Sequence, residues 1–240
     1  IAAWRHDFHA HPELLFDVHR TAGIVAEKLR AFGCDDVVTG LGQTGVVGVI
    51  KGRGAGQRTI GLRADMDALP MTEKTGLAYA SATPGKMHAC GHDGHTAMLL
   101  GAAKYLCETR NFAGQVALIF QPAEEGGGGG KVMLDDGLID KFDIAEVYGM
   151  HNWPGMALGT FGIRAGGIMA ATDRFYIEII GKGGHAARPQ QTVDPIIVAA
   201  QMVTALQTIV SRNLDPLESA VLSVTMVEAG EADNVISRTA

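Results

Sequence analysis

Apolar residues along the first two thirds of the chain fall into two alternating kinds of run. TGVVGVIKG (44–52), RTIGLRADMDALP (58–70) and QVALIFQPAEE (115–125) are short, rich in β-branched residues and bounded by Gly or Pro, the pattern of buried strands. Between the last two, HTAMLLGAAKYLCETR (95–110) places its apolar positions at helical spacing. TAGIVAEKLRAFG (21–33) does the same and ends on Gly33, a good helix stop, and the first turns of the protein read as helical up to about Pro12. KVMLDDGLID (131–140) and EVYGMHNW (146–153) continue the rhythm after a run of glycines. The alternation predicts an α/β fold, a sheet flanked by helices.

The texture changes after about residue 168. A strand-like run RFYIEIIGKGG, a helix DPIIVAAQMVTALQTIVSR and a second strand-like run SAVLSVTMVEAG predict a smaller α+β unit. The expected domains are therefore 1–168 and 169–240. Gly126 to Gly130 followed by Lys131 invites a phosphate-loop reading, but Glu125 stands where the first Gly of that motif belongs, and Val132 where its hydroxyl residue belongs. A turn that lets backbone pass close to a site is the better reading.

Composition narrows the classes. With 240 residues, 47% hydrophobic, and a net charge of -6 without a basic patch, the chain reads as globular, with no nucleic-acid partner. The apolar stretches read as interrupted before bilayer length, and no leader precedes them, so no membrane span is expected. Cys34 and Cys107 stand far from any CxxC spacing, which supports neither a zinc ribbon nor a disulfide framework and fits a reducing, cytoplasmic setting. The chain begins at Ile1 and stops at Ala240 just after a strand-like run, and it reads as incomplete at its C-terminus.

Candidate chemistry concentrates in MHACGHDGHT (87–96), where Cys90, His92, Asp93 and His95 stand within six residues. Thiolate and imidazole two residues apart suit a borderline-soft divalent ion, and the lack of a second Cys pair favours an open, catalytic site over a structural one. The bland reading is a helix N-terminus satisfying its own backbone. Glu124 and Glu125 follow the strand VALIF, where one carboxylate can ligate a metal while the other faces water as general base; a solvated acidic loop is the alternative. His151 lies where EVYGM gives way to a loop and is a candidate ligand or a hydrogen-bonding core residue. Asp65 and Asp67 could orient ligating histidines or make the turn before Pro70. His185, beside glycines and Arg188, is a reasonable polariser of a substrate carbonyl if the second unit folds over the site. His6, His9, His11 and His19 show no ligand spacing and receive no role.

RHDFHAHPE, RADMDALP, HACGHDGHT, FQPAEEG, MHNWP, GKGGHAARP and DNVIS occur in that order, and with them the chain resembles the metal-dependent amidohydrolases that include hippurate hydrolases, N-acyl-amino-acid deacylases and auxin-conjugate hydrolases. The resemblance implies a metallopeptidase-like catalytic domain with a mixed sheet flanked by helices, plus a ferredoxin-like lid that suggests a homodimer. It implies Cys90, His92, Glu125 and His151 as metal ligands, Glu124 as catalytic base, His185 reaching the scissile carbonyl, and Asn234 near the substrate carboxylate or lid hinge. His95 becomes a supporting residue, and Asp65, a His in the related carboxypeptidases, stays off the ligand set. A last ligand His is expected beyond Ala240. The implied cofactor is one or two divalent ions, manganese, zinc, cobalt or nickel, and the implied reaction is hydrolysis of the amide of a small N-acyl amino acid. An aminopeptidase or dipeptidase on the same scaffold, and a metal-binding or dimerising module without turnover, are the rivals.

Overall fold

The computed structural model describes residues 1–240, which divide into two compact units, Ile1–Met156 and Ala157–Ala240. In the first unit, five strands form one mixed sheet in the order β1-β2-β4-β3-β5. They are β1 (Asp36–Leu41), β2 (Gly45–Lys51), β3 (Gly54–Asp65), β4 (Ala113–Gln121) and β5 (Ile144–Gly149). β1 and β2 pair antiparallel, as do β2 and β4, while β3 runs parallel to both β4 and β5.

Alternation along the central strands feeds two cores. Val46, Ile50, Leu118 and Phe120 pack with Phe8, Val25, Leu29, Leu100 and Ala103 from helices α1 (Ala2–Ala10), α2 (His19–Phe32) and α3 (His92–Thr109). Val47, Ala117 and Ile119 face the other way, against Met133 and Leu138 of the short helices α4 (Gly129–Asp135) and α5 (Leu138–Phe142). Strands buried on both faces read as continuous apolar runs, which is why they stand out in the sequence. The crossover from β3 to β4 carries α3 on one face, and that from β4 to β5 carries α4 and α5 on the other. This disposition is what right-handed crossovers running in opposite directions require. Gly33, at φ 87°, ends α2 as expected, its N–H and that of Cys34 capping the carbonyls of Arg30 and Leu29.

The second unit holds α6 (Pro195–Asn213), a single 3-10 turn at Pro189–Gln191, and a two-stranded ladder of β6 (Gly184–His185) and β7 (Val235–Ile236). α6 starts as its sequence dictates, with the Asp194 carboxylate accepting the Ile196 N–H at 2.9 Å and Pro195 in the first turn. Two expectations fail here. The run 219–230 forms no strand, and 174–184 pairs only in its second half, where Ile179 bonds Ala240, Gly181 bonds Arg238, Lys182 bonds Val193 and Gly184 enters β6. A strand exists only where its backbone groups find a partner, and neither 219–230 nor the first half of 174–184 finds one within these residues. The bilayer-length reading also needs correction. α6 is long and apolar enough to cross a membrane by length and composition, because Gln201, Thr204 and Gln207 interrupt its apolar run without adding charge.

Candidate metal centre

Parallel strands β3, β4 and β5 all end on one side of the sheet, and the chemistry gathers there, as it does in open α/β sheets generally. β3 delivers Asp65 and, two residues on, Asp67. β4 runs out into Glu124 and Glu125, and β5 into His151 and Asn152. α3 presents His92 and His95 from its first turn, with Cys90 just before it. Gly91, at φ 100°, makes the turn into the helix, and a Cβ there would stand 2.2 Å from the Asn152 side chain.

The acidic pair is held by the backbone around it. The Asp67 carboxylate accepts the N–H groups of Glu124 at 3.0 Å and Glu125 at 3.1 Å. Ala123 sits at φ 52°, a costly conformation for a residue with a Cβ, fixed by its N–H to Leu15 O and its carbonyl from Gly129 N–H. The glycine run is there for closeness: a Cβ on Gly129 would lie 1.8 Å from the Pro122 carbonyl oxygen. The outcome is two neighbouring carboxylates in different settings. The Glu124 side chain is 43% exposed and that of Glu125 16%.

Three groups of ligand-type atoms lie within 4.8 Å of one another: Cys90, His92 and His151; His92, Glu124 and Glu125; and Asp65, His92 and His95. His92 belongs to all three. Its Nδ1 bonds the Asp67 carbonyl at 2.8 Å, so that nitrogen carries the proton and Nε2 keeps a lone pair. Nε2 is fully buried without a hydrogen-bond partner, 3.8 Å from oxygens of both Glu124 and Glu125. A buried nitrogen facing carboxylate oxygens, with Asp65 Oδ2 also 3.4 Å away, calls for positive charge between them, a proton or a metal ion. The donor set therefore fits a divalent ion.

Electrostatics point the same way. Burial alone would lower the proton affinity of His92, yet Asp67 and Asp65 outweigh it and raise it, the sign of a site short of positive charge. Burial, then the neighbouring Glu125, pushes the Cys90 thiol up to about 12. Near neutral pH the thiol therefore stays protonated unless a bound cation draws off the proton. Burial, with the nearby Glu124 charge, also raises Glu125. Asp65 behaves oppositely. Despite burial, the hydrogen bond from His95 and the charge of Arg63 bring it down to about 2.

Of the residues singled out in the sequence, Cys90, His92, Glu124, Glu125 and His151 converge here, with Cys90 Sγ 3.3 Å from His151 Nε2. His185 and Asn234 come together separately in the second unit, where His185 pairs with Val235 and Ala186 N–H donates to the Asn234 carbonyl at 3.0 Å. Two readings change. His9, given no role, is buried and bridges Asp93 at 2.9 Å and Glu73 at 3.2 Å, bracing the first turn of α3. Cys34 and Cys107, remote in sequence, have their sulfurs 3.6 Å apart. Arg63 and Asn152 had no local signal, since nothing in their own neighbourhoods marks contacts made across 58 and 57 positions.

Fold and site together define a class: an α/β protein with a candidate divalent-metal centre built from thiol, imidazole and paired carboxylates at parallel strand ends. The chain belongs to peptidase family M20/M25/M40, whose profile matches residues 61–232. It is 52% identical over 232 residues to the hippurate hydrolase of Campylobacter jejuni, covering 97% of this chain and 60% of that protein. It is 49% identical over 238 residues to the N-acyl-L-amino acid amidohydrolase of Geobacillus stearothermophilus, covering 98% and 63%. The crystal structure of Bacillus subtilis YxeP, described as a dinuclear metal binding peptidase from the M20 family, matches with a TM-score of 0.72 and 39% identity, over 99% of this chain and 60% of that one. The chain thus spans about three fifths of the length of these relatives.

Proposed function

We propose that the full-length protein is a metal-dependent amidohydrolase that cleaves the amide of small N-acyl amino acids, of the hippurate or N-acetyl type, releasing a carboxylic acid and a free amino acid. The observation that carries this reading is the buried, unpartnered Nε2 of His92 facing Glu124 and Glu125. The names of the relatives supply the substrate class.

Cys90, His92, Glu125 and His151 hold one or two divalent ions, of manganese, zinc, cobalt or nickel. When bound, such an ion polarises the amide carbonyl and acidifies water. The more exposed carboxylate of Glu124 takes a proton from the attacking water and returns it to the leaving amine. The second unit acts as lid and as the dimerising element, and the protein works in the cytoplasm. Ala187 N–H already donates to His185 Nδ1 at 3.1 Å, which leaves Nε2 to carry a proton toward the oxygen that becomes negative as the carbonyl is attacked. Asn234, just before the strand residue Val235 that pairs with His185, receives the substrate carboxylate.

The test is release of free amino acid from hippurate and N-acetyl amino acids by the full-length protein, before and after metal removal. Glu124→Gln should lower kcat by about 10²–10⁴-fold, the usual contribution of a general base. Turnover near wild type in that variant sinks the assignment.

A further inference from the structure

Behind the candidate ligands runs a line of polar groups that the proposed reaction does not use. Arg63 Nε donates to Gln121 Oε1 at 2.8 Å, and its Nη1 to Asp65 Oδ2 at 2.7 Å. The other oxygen of Asp65 accepts from His95 Nδ1 at 2.7 Å. On the far side of the ring, Asn152 N–H donates to His95 Nε2 at 3.0 Å, and Asn152 Oδ1 lies 2.6 Å from the same nitrogen. Asp65 and His95 are 1% and 3% exposed.

This layer is not itself an ion site, although Asp65, His92 and His95 lie close enough to form one. Both ring nitrogens of His95 are committed, and both oxygens of Asp65 are taken, one of them by a guanidinium whose charge repels a metal ion. What the line reaches is the next residue along the chain. His151 sits on an exposed loop, its Nδ1 on the Asn152 carbonyl at 2.7 Å and its Nε2 toward Cys90. The His95 ring also packs edge-on against that of His151, with centroids 4.6 Å apart. An imidazole on a loop cannot hold an ion tightly unless something rigid fixes it, and α3 is the rigid element at hand.

We propose that His95, oriented by Arg63 and Asp65, is a positioning residue that clamps Asn152 and thereby holds His151 against Cys90 in the metal centre. The proposal rests on the reading of His151 as a ligand, and its test separates the two.

Cobalt(II) affinity of the metal-free, full-length protein is measured by chelator competition, with the thiolate-to-cobalt absorption as a second signal, for wild type, His95→Ala, His151→Ala and the double variant. His95→Gln is carried through the same cycle, and thermal melts establish that each variant is folded. Losing an outer partner of a metal ligand weakens metal binding by about 10–100-fold. His95→Ala and His95→Gln should do so in the wild-type background and shift the cobalt spectrum, yet change affinity by less than about 2-fold where His151 is already Ala, the signature of two residues acting as one. Equal losses in both backgrounds overturn the clamp. Unchanged affinity in His95→Ala and His95→Gln does so as well. If His151→Ala alone binds cobalt as tightly as wild type, the ligand assignment fails first and the clamp with it.

Discussion

Gly128 and Gly129 are neighbours in the same run, but they are glycines for different reasons. Gly128 sits at φ 64° with open space around it, so Gly128→Ala meets only the left-handed backbone penalty, on the order of 1 kcal/mol. In Gly129→Ala the new methyl would meet the Pro122 carbonyl, which is backbone and cannot swing aside. That substitution should cost at least about 2 kcal/mol, within the range of overpacked sites, and should displace Glu124 and Glu125. Urea denaturation and turnover measured on both variants check the contrast: Gly128→Ala keeps most of its activity, and Gly129→Ala loses it. The run itself was legible as a close-approach turn. The different reasons were not, since a clash with Pro122 is a property of the folded path and leaves no mark on five identical residues.

At the scale of elements, α3 is held at both ends by contacts that its own sequence does not announce. Its first turn is braced by His9 on Asp93, and its last turn brings Cys107 against Cys34 beyond the end of α2. Burial first, then the Cys107 sulfur, pushes the Cys34 thiol up to about 12, against an ordinary value of 9.0. Between about pH 9 and pH 12 the unfolded chain therefore releases this proton while the folded chain keeps it, and stability falls as pH rises through that window. Below pH 9 both states are protonated and the effect vanishes. Melting temperatures taken from pH 8 to pH 11 should drop more steeply for wild type than for Cys34→Ala; parallel curves contradict the shift. β2, β4, the second half of β3 and α3 could be read from hydrophobic period because the sheet and its covering helix bury them there. β1 could not. It is a short edge strand, partly exposed and bent at Gly40, and its antiparallel partner β2 creates it. The strand-like run 219–230 of the second unit fails in reverse, having the composition of a strand without a pairing to realise it.

For the molecule as a whole, the site concentrates negative charge on a sheet edge that no internal cation neutralises beyond Arg63, so ion binding and folding are linked. A divalent ion at about one hundred times its Kd should add about 2.7 kcal/mol to the folded state, provided the unfolded chain does not bind it. For a protein of this size that is roughly a 5–10 °C rise in melting temperature. Calorimetry with and without chelator measures the rise, and Glu125→Ala should abolish most of it; identical melts in all cases would remove the ion from the stability argument. The candidate ligand types could be picked out of the sequence because Cys, His and paired Glu at strand ends carry their chemistry openly. Their support could not, since Arg63, His95 and Asn152 meet only after β3 has paired with β4 and β5.

The strand order also has a consequence for biosynthesis. β5 lies beside β3 and not beside β4, so the loop bearing His151 takes its place only after the chain has passed β4 and crossed back over the sheet. A nascent chain exposed as far as Gln121 displays Cys90 and His92 but neither carboxylate of the acidic pair nor His151. Domains form as units while the ribosome is still adding residues. On the proposed ligand set, a half-made chain therefore offers a passing ion two donors and no enclosure, and the choice of metal is deferred until the polypeptide beyond Asn152 has emerged.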